Sequence, residues 1–490
     1  MRARCVITSG VQNKPGGDDG GLVRGIRRWD LVAIAINGII GAGIFGLPSR
    51  VYSLIGPYSL IAFVACALVV ALIILCFAEV SSRFEETGGP YLYAREAYQP
   101  AVAFEVGWLI WLARVTAFAA NCNLLINYLS FFWSPAATTV WRASIIVFIV
   151  AVLSLINVLG IRQAAIVSNA FTIGKLVALI IFIAAGLFFL NPQAFEPGPA
   201  PAAASFSQSV LLLVYAFTGF EMATIPAGEV RDPQRNLPRA LIIAILVVAT
   251  VYILVQVVCV GTLPGLGQSS KPLADAAAHF LGTGGAAIIS AGAVISITGN
   301  LNILLLSGSR LPFAMAEQQQ LPKLIGSIHP RFFTPYVSIL ITAGLMLLLT
   351  LKSSFVQALT ISTLARLVTY AATCLALLLF RRADTPPSGT KSFPQRRKDA
   401  KLCRVAEGFF FAPLRLCARN LRSLSLSGQN TPPPAFRLPG GTIVAVLSLA
   451  LIVWLLAHST LQEAQATAIA GGVGLLIYLS YWVYSRSRRS

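Results

Sequence analysis

The 490-residue sequence predicts an all-α polytopic membrane protein of twelve transmembrane helices, and three observations lead there. Hydrophobic residues make up 56% of the chain and charged residues only 11%, with a mean hydropathy of +0.76. A soluble chain of this length carries about a quarter charged residues. Apolar stretches of about 20 residues, long enough to cross a bilayer, recur twelve times. The basic residues between them crowd into alternate connections.

The spans fall at about 30–54, 58–82, 100–132, 142–160, 164–190, 206–227, 237–263, 284–312, 335–351, 354–380, 438–458 and 466–485, with ends uncertain by a few residues. The third is long, so it is expected to tilt or to extend beyond the bilayer at one end. Residues 1 to 29 are polar and basic, and the first apolar segment is too long for the core of a cleavable signal. That tail is therefore expected to stay, as is the short one at 486–490.

With the N-terminus in the cytoplasm, 30 of the 37 Lys and Arg fall on the cytoplasmic side and 4 outside. Three lie deep within spans, away from their ends: Arg114, Lys175 and Arg366. Omitting the rich connection at 381–437 still leaves 18 against 4. This is the positive-inside pattern, so the net charge of +19 is a topology signal that requires no nucleic acid. It predicts a multi-pass plasma (inner) membrane protein with both termini cytoplasmic. The connection at 381–437 reads as a basic loop touching anionic lipid. A sharper reading is an insertion between two Thr-Pro-Pro edges, Thr385-Pro386-Pro387 and Thr431-Pro432-Pro433.

The eight cysteines form no CxxC pair and mostly sit in apolar spans, and the three histidines stand apart. A disulfide framework and a metal site are not expected. No Ser/His/Asp, HExxH or phosphate-loop pattern appears, and no polar segment is large enough for a separate catalytic domain. An enzyme is not expected, nor is an organic cofactor.

Span one breaks its own pattern at Gly41-Ala42-Gly43-Ile44-Phe45-Gly46-Leu47-Pro48. Gly relaxes the backbone and Pro removes a donor. A helix that opens in a bilayer must find partners for its backbone in protein, water or ligand. Span six breaks likewise at Phe217-Thr218-Gly219-Phe220-Glu221, with Pro226 beyond. The two broken spans are five apart, an odd number, so the halves they open lie in opposite orientations. Interrupted spans at matching places in two halves point to an inverted-repeat transporter with its site between the breaks. The halves run over 30–190 and 206–380, followed by the loop at 381–437 and two further helices over 438–485.

Four motifs now carry a resemblance: GAGIFGLP in span one, FTGFE in span six, EVRDPQRNLPRA after it and SRLPFAMAEQQQLP at the end of span eight. They resemble those of the amino acid–polyamine–organocation transporters, over about residues 25 to 380 and weakly beyond. The resemblance implies a LeuT-type 5+5 inverted repeat with broken helices 1 and 6, and spans eleven and twelve outside the core. The loop at 381–437 departs from the family in being longer.

A zwitterion needs two opposite dipoles, and the two ends of broken helices supply them. The resemblance puts a substrate carboxylate on the backbone N–H groups of Ala42 and Gly43, beside Gly41. It puts the ammonium on the carbonyls of Ile39, Tyr215 and Thr218. Tyr215, Phe217 and Phe220 are candidate walls, and Gly219 opens the second break. The bland alternative is that these glycines serve close helix packing.

Lys175 lies about twelve residues into span five, hence about 18 Å deep. A cation at that depth reads as functional. In proton-coupled members of the family that resemble this chain, a lysine here takes the place of a coupling sodium. Lys175 is thus expected to couple transport to H+, against a snorkelling or statically paired lysine. Glu221 is open between proton transfer, attraction of a substrate amine and a structural hydrogen bond. Arg114 and Arg366 either pair with carboxylates (Glu221 or Glu105) or select substrate. Glu79 and Glu229, near cytoplasmic ends, suit gate or interface ion pairs.

The expectation is an amino acid transporter, a monomer or homodimer in lipid, working by proton symport. Antiport of amino acids or polyamines is the alternative in the same class. A sensor that binds without turnover is the alternative in another.

Overall fold

The structure, a computed structural model, describes residues 26–384 and 433–487 except 87, 160 and 333, with the side chains of 161–173, 229 and 484–487 left aside. Expectations that rest on the N-terminal tail, Glu229 or the loop between 385 and 432 lie outside the described residues.

Among the described residues the architecture is helical, and the only β feature is a parallel bridge between Ile26 and Val230. Span one is two helices, α1 (Arg28–Ile39) and α2 (Gly43–Ile55). The N–H of Arg27 donates to Asp30 Oδ2 at 2.9 Å, so the first turn of α1 carries its own acceptor. There follow α3 (Ser59–Ser81), the short α4 (Pro90–Ala97), α5 (Pro100–Leu129), α6 (Thr139–Leu159) and α7 (Ile161–Gly186). Pro90, Pro100 and Pro233 each stand at a first helical position, where the missing N–H costs nothing. In the second half come α8 (Ala203–Phe217), α9 (Pro233–Thr262), α10 (Pro272–Glu317), α11 (Tyr336–Lys352) and α12 (Phe355–Ala383). Gly282 sits at φ +67 inside α10 and divides it into two helices. Reciprocal bonds between Ser354 and Gln357 cap the start of α12. Two last helices are α13 (Gly441–Ala457) and α14 (Leu461–Ser487).

Eight helical segments among the described residues are long and apolar enough to cross a membrane, and three shorter apolar helices accompany them. The twelve spans read from sequence are thus matched in part by this criterion. One of the eight, Gly43–Ser81, runs together α2 and α3. The apolar window of α5 is 94% buried, against 28% for α6 and 6% for α14. That places α5 at the centre and α6 and α14 at the rim. Large apolar side chains stand exposed on the rim, among them Phe148, Leu155, Ile180, Ile443 and Leu476. Such a belt suits hydrocarbon, not water. The chain is a multi-pass membrane protein.

The ends of α3 and α12 are tied to the segment before α13. Arg381 Nε donates to Glu79 Oε1 at 2.7 Å, and Leu438 N donates to Glu79 Oε2 at 2.9 Å. Arg83 Nη1 donates to Asp384 Oδ1 at 2.9 Å, and its guanidinium lies over the Phe380 ring. Ser82 Oγ donates to the Phe436 carbonyl at 3.2 Å. The guanidinium of Arg83 holds the Asp384 carboxyl below the usual aspartate range. Glu79, expected in a gate or interface ion pair, pairs with Arg381 here.

Candidate functional site

The two interruptions meet at the centre of the fold. α1 closes at Ile39, and Gly41 N turns back to donate to the Ile39 carbonyl at 2.8 Å. α2 then opens from Ala42, so Ala42 and Gly43 stand at a helix start, where N–H groups lack intrahelical acceptors and the dipole is positive. α8 closes at Phe217, where Thr218 Oγ1 donates to the Tyr215 carbonyl at 2.7 Å. Gly219 has φ +111. A Cβ on Gly219 would lie 2.2 Å from the Gly38 carbonyl oxygen, and one on Gly38 would lie 2.6 Å from the Gly219 oxygen. The two breaks therefore touch backbone to backbone, and Gly219 serves close packing. A Cβ on Gly43 would stand 2.7 Å from Ala216 Cα, so Gly43 packs α2 on α8 as well as opening α2.

Between the breaks lies a cavity of about 20 Å³. That is room for about one water, so an amino acid enters only if the breaks part. Ile39, Gly41, Ala42, Gly43, Tyr215 and Thr218 line it, together with Asn121, Asn300 and Arg366. Three expected residues do not line it. Phe217 packs edge-on against Tyr252 with ring centroids 5.0 Å apart, and Gly219 is closed off by Gly38. Phe220 packs instead between Phe77 and Tyr370.

Polar groups from four helices converge on this cavity. Tyr215 Oη donates to Asn121 Oδ1, and Asn121 Nδ2 donates to Asn300 Oδ1 at 2.7 Å. Tyr252 Oη lies 3.1 Å from the Ile39 carbonyl and 3.1 Å from the Ala216 carbonyl, clasping both broken helices. The carbonyls of Ile39 and Tyr215, expected to receive a substrate ammonium, thus already accept bonds within the protein.

Lys175 is fully buried, and its Nζ donates to the Ile40 carbonyl at 2.7 Å and the Asn37 carbonyl at 3.3 Å. These carbonyls lie at the end of α1, the negative end of a helix with no further turn to satisfy it. The lysine of α7 therefore reaches the first break directly.

Arg366 Nη1 donates to Glu221 Oε1 at 2.7 Å. The other oxygen of Glu221 accepts from Tyr370 Oη at 2.8 Å and from Gly219 N at 3.0 Å. Both carboxylate oxygens are engaged, and the pair joins the second break to α12. The carboxylate partner expected for Arg366 is Glu221. The one expected for Arg114 differs: Arg114 Nη1 donates to Ser307 Oγ, and among the described residues it forms no ion pair.

Sequence reading passed over Asn121, Asn300, Tyr252 and Tyr370. The two asparagines carry a signal, being amides in apolar spans three and eight. The tyrosines carry none that separates them from other span aromatics.

The chain matches the amino acid permease family over residues 26–475. It is 30% identical over 338 residues to the methylthioribose transporter of Bacillus subtilis (strain 168), covering 64% of this chain and 72% of that one. It is 28% identical over 378 residues to the serine/threonine exchanger SteT of the same organism, covering 74% and 85%. To the branched-chain amino acid permease BcaP, also of that organism, it is 27% identical over 340 residues, covering 65% and 72%.

Proposed function

The chain belongs to the amino acid permease family, and on that premise we propose that it moves amino acids across the plasma membrane by alternating access, in symport with protons. It is a transporter and not an enzyme, as its relatives are. In this reading ten of twelve transmembrane helices form two inverted five-helix repeats over 30–190 and 206–380, the last two lie outside them, and both termini are cytoplasmic.

The observation that carries it is the contact of Lys175 with the broken end of α1. A buried ammonium on helix-end carbonyls is stabilised while the carbonyls stay in place. When the breaks part, the neighbouring Ile39 carbonyl turns to the substrate ammonium, the end of α1 moves off the lysine, and the ammonium, losing its acceptors, gives up its proton. Substrate capture and proton transfer would then draw on the same helix end, through adjacent carbonyls. Ala42 and Gly43 hold the substrate carboxylate. Glu221, engaged on both oxygens, holds the second break to α12 and carries no proton in this reading. Asn121 and Asn300 keep the cavity polar and join its walls.

Antiport is the second reading, and it is favoured by the similarity to an exchanger. Labelled amino acids offered to proteoliposomes separate the cases. Symport predicts accumulation in empty vesicles under an inward proton gradient. Uptake that requires internal amino acid means exchange. Binding without uptake under either condition would leave only a sensor.

A further inference from the structure

The charges beside the cavity do not balance. α5 and α12 lie side by side, with Ser362 Oγ donating to the Ala113 carbonyl at 2.7 Å and Leu109, Ala113 and Ala365 in one apolar cluster. The next residue on each helix is an arginine. Arg114 is 1% exposed and Arg366 is 5% exposed. Arg114 lies within electrostatic range of Glu221 and Arg366. Two guanidiniums thus lie near one carboxylate in the interior of a membrane protein, and only that of Arg366 is paired with it.

Their hydrogen bonds do not balance either. Glu221 takes Nη1 of Arg366, and Ser307 takes Nη1 of Arg114. Arg366 Nε, Arg114 Nε and Arg114 Nη2 are buried with no acceptor among the described residues. An unpaired buried donor is costly, and more so when charged. Arg366 lines the cavity, and so do Ala117 and Asn121, which lie one and two turns along α5 from Arg114. The start of α2 at Ala42 and Gly43 lines the same cavity.

We infer that Arg114 and Arg366 form a subsite for a carboxylate on the transported molecule, so that the substrate class is an α-amino acid with an acidic side chain. The inference rests on the transport reading above and names its cargo. A substrate head held at the breaks sends its side chain toward Arg366. A carboxylate there supplies the missing charge and acceptors for two guanidinium forks. A neutral polar side chain supplies acceptors only, and an aliphatic one supplies neither. A cationic side chain adds a third positive charge, and like charges brought together in a desolvated site are strongly disfavoured.

The test compares aspartate, glutamate, serine, leucine and lysine with the full chain. Two readouts are taken, thermal stabilisation of detergent-solubilised protein and uptake into proteoliposomes. Aspartate or glutamate should stabilise the wild-type protein at concentrations at least tenfold below those needed for leucine or lysine. Arg114→Gln should cut the acidic-to-leucine uptake ratio at least tenfold, and Arg114→Lys should cut it less. Arg114 is the residue to vary because Arg366 also holds Glu221. If Arg114→Gln fails to fold, the wild-type panel decides alone. Preference for serine, leucine or lysine overturns the subsite and leaves transport standing. Stabilisation by aspartate without uptake keeps the subsite and overturns transport. Replacing chloride by gluconate should leave aspartate uptake intact. A chloride requirement would mean that the guanidiniums hold an inorganic anion, and it would overturn the assignment.

Discussion

Lys175, Glu221 and Tyr252 each meet the broken helices through different chemistry, and each can be tested alone. Glu221→Gln removes the charge that compensates Arg366 in a buried pair. Breaking such a pair from one side costs about 3–5 kcal/mol, so the variant should unfold several degrees earlier in detergent. An unchanged melting temperature would contradict the structural role. Tyr252→Phe leaves the carbonyls of Ile39 and Ala216 without their shared donor. The expected loss is about 1–3 kcal/mol, read by the same assay. Lys175 was legible because a charge in an apolar span stands out against its neighbours. The pairing of Arg366 with a carboxylate was legible for the same reason. Partners set by how helices rotate against one another were not. Arg114 meets Ser307 and Asn121 meets Asn300 across α5 and α10, and no spacing along one chain encodes that rotation.

The elements that matter most are the two interruptions, and glycine marks both in the sequence. The reason for each glycine was not legible. Gly41 and Gly43 line the cavity, yet Gly219 and Gly38 exist to let two backbones touch. The closeness predicts an order of effects. Gly219→Ala combines φ +111 with a contact of 2.2 Å against backbone, which cannot give way. Gly41→Ala meets only the Asn300 side chain, at 3.2 Å. Gly219→Ala should therefore abolish folded protein or cost more than about 2 kcal/mol, and Gly41→Ala should be milder. The reverse order, measured by thermal unfolding, would contradict the crossing of α1 and the second break. Two elements left no readable trace. The short α4 lies in what reads as a polar connection, and the bend at Gly282 is one glycine among several in its segment.

For the whole molecule, an all-helical membrane fold was legible from hydropathy alone, because span length follows bilayer thickness. How spans close on one another depends on long-range pairs such as Glu79 with Arg381 and Arg83 with Asp384, some 300 residues apart. Asp384 titrates low because of Arg83. A depressed carboxylate pKa stabilises the fold above the unfolded value near 4 and loses that contribution as pH falls through the folded value. Asp384→Asn should thus lower stability at pH 7, and its deficit should shrink toward pH 3. A constant deficit would contradict the ion pair. Asp384, Phe436 and Leu438 are all held at the end of α3, so both ends of the intervening loop have anchors of their own. Deleting residues 388 to 433 should leave folded, active protein, read as uptake; loss of both would contradict the insertion reading. The most direct test of the central claim is amino acid accumulation in proteoliposomes under an imposed inward proton gradient, wild type against Lys175→Met. The account predicts gradient-driven accumulation by the wild type and its loss in the variant. Gradient-driven accumulation that survives in Lys175→Met would contradict it.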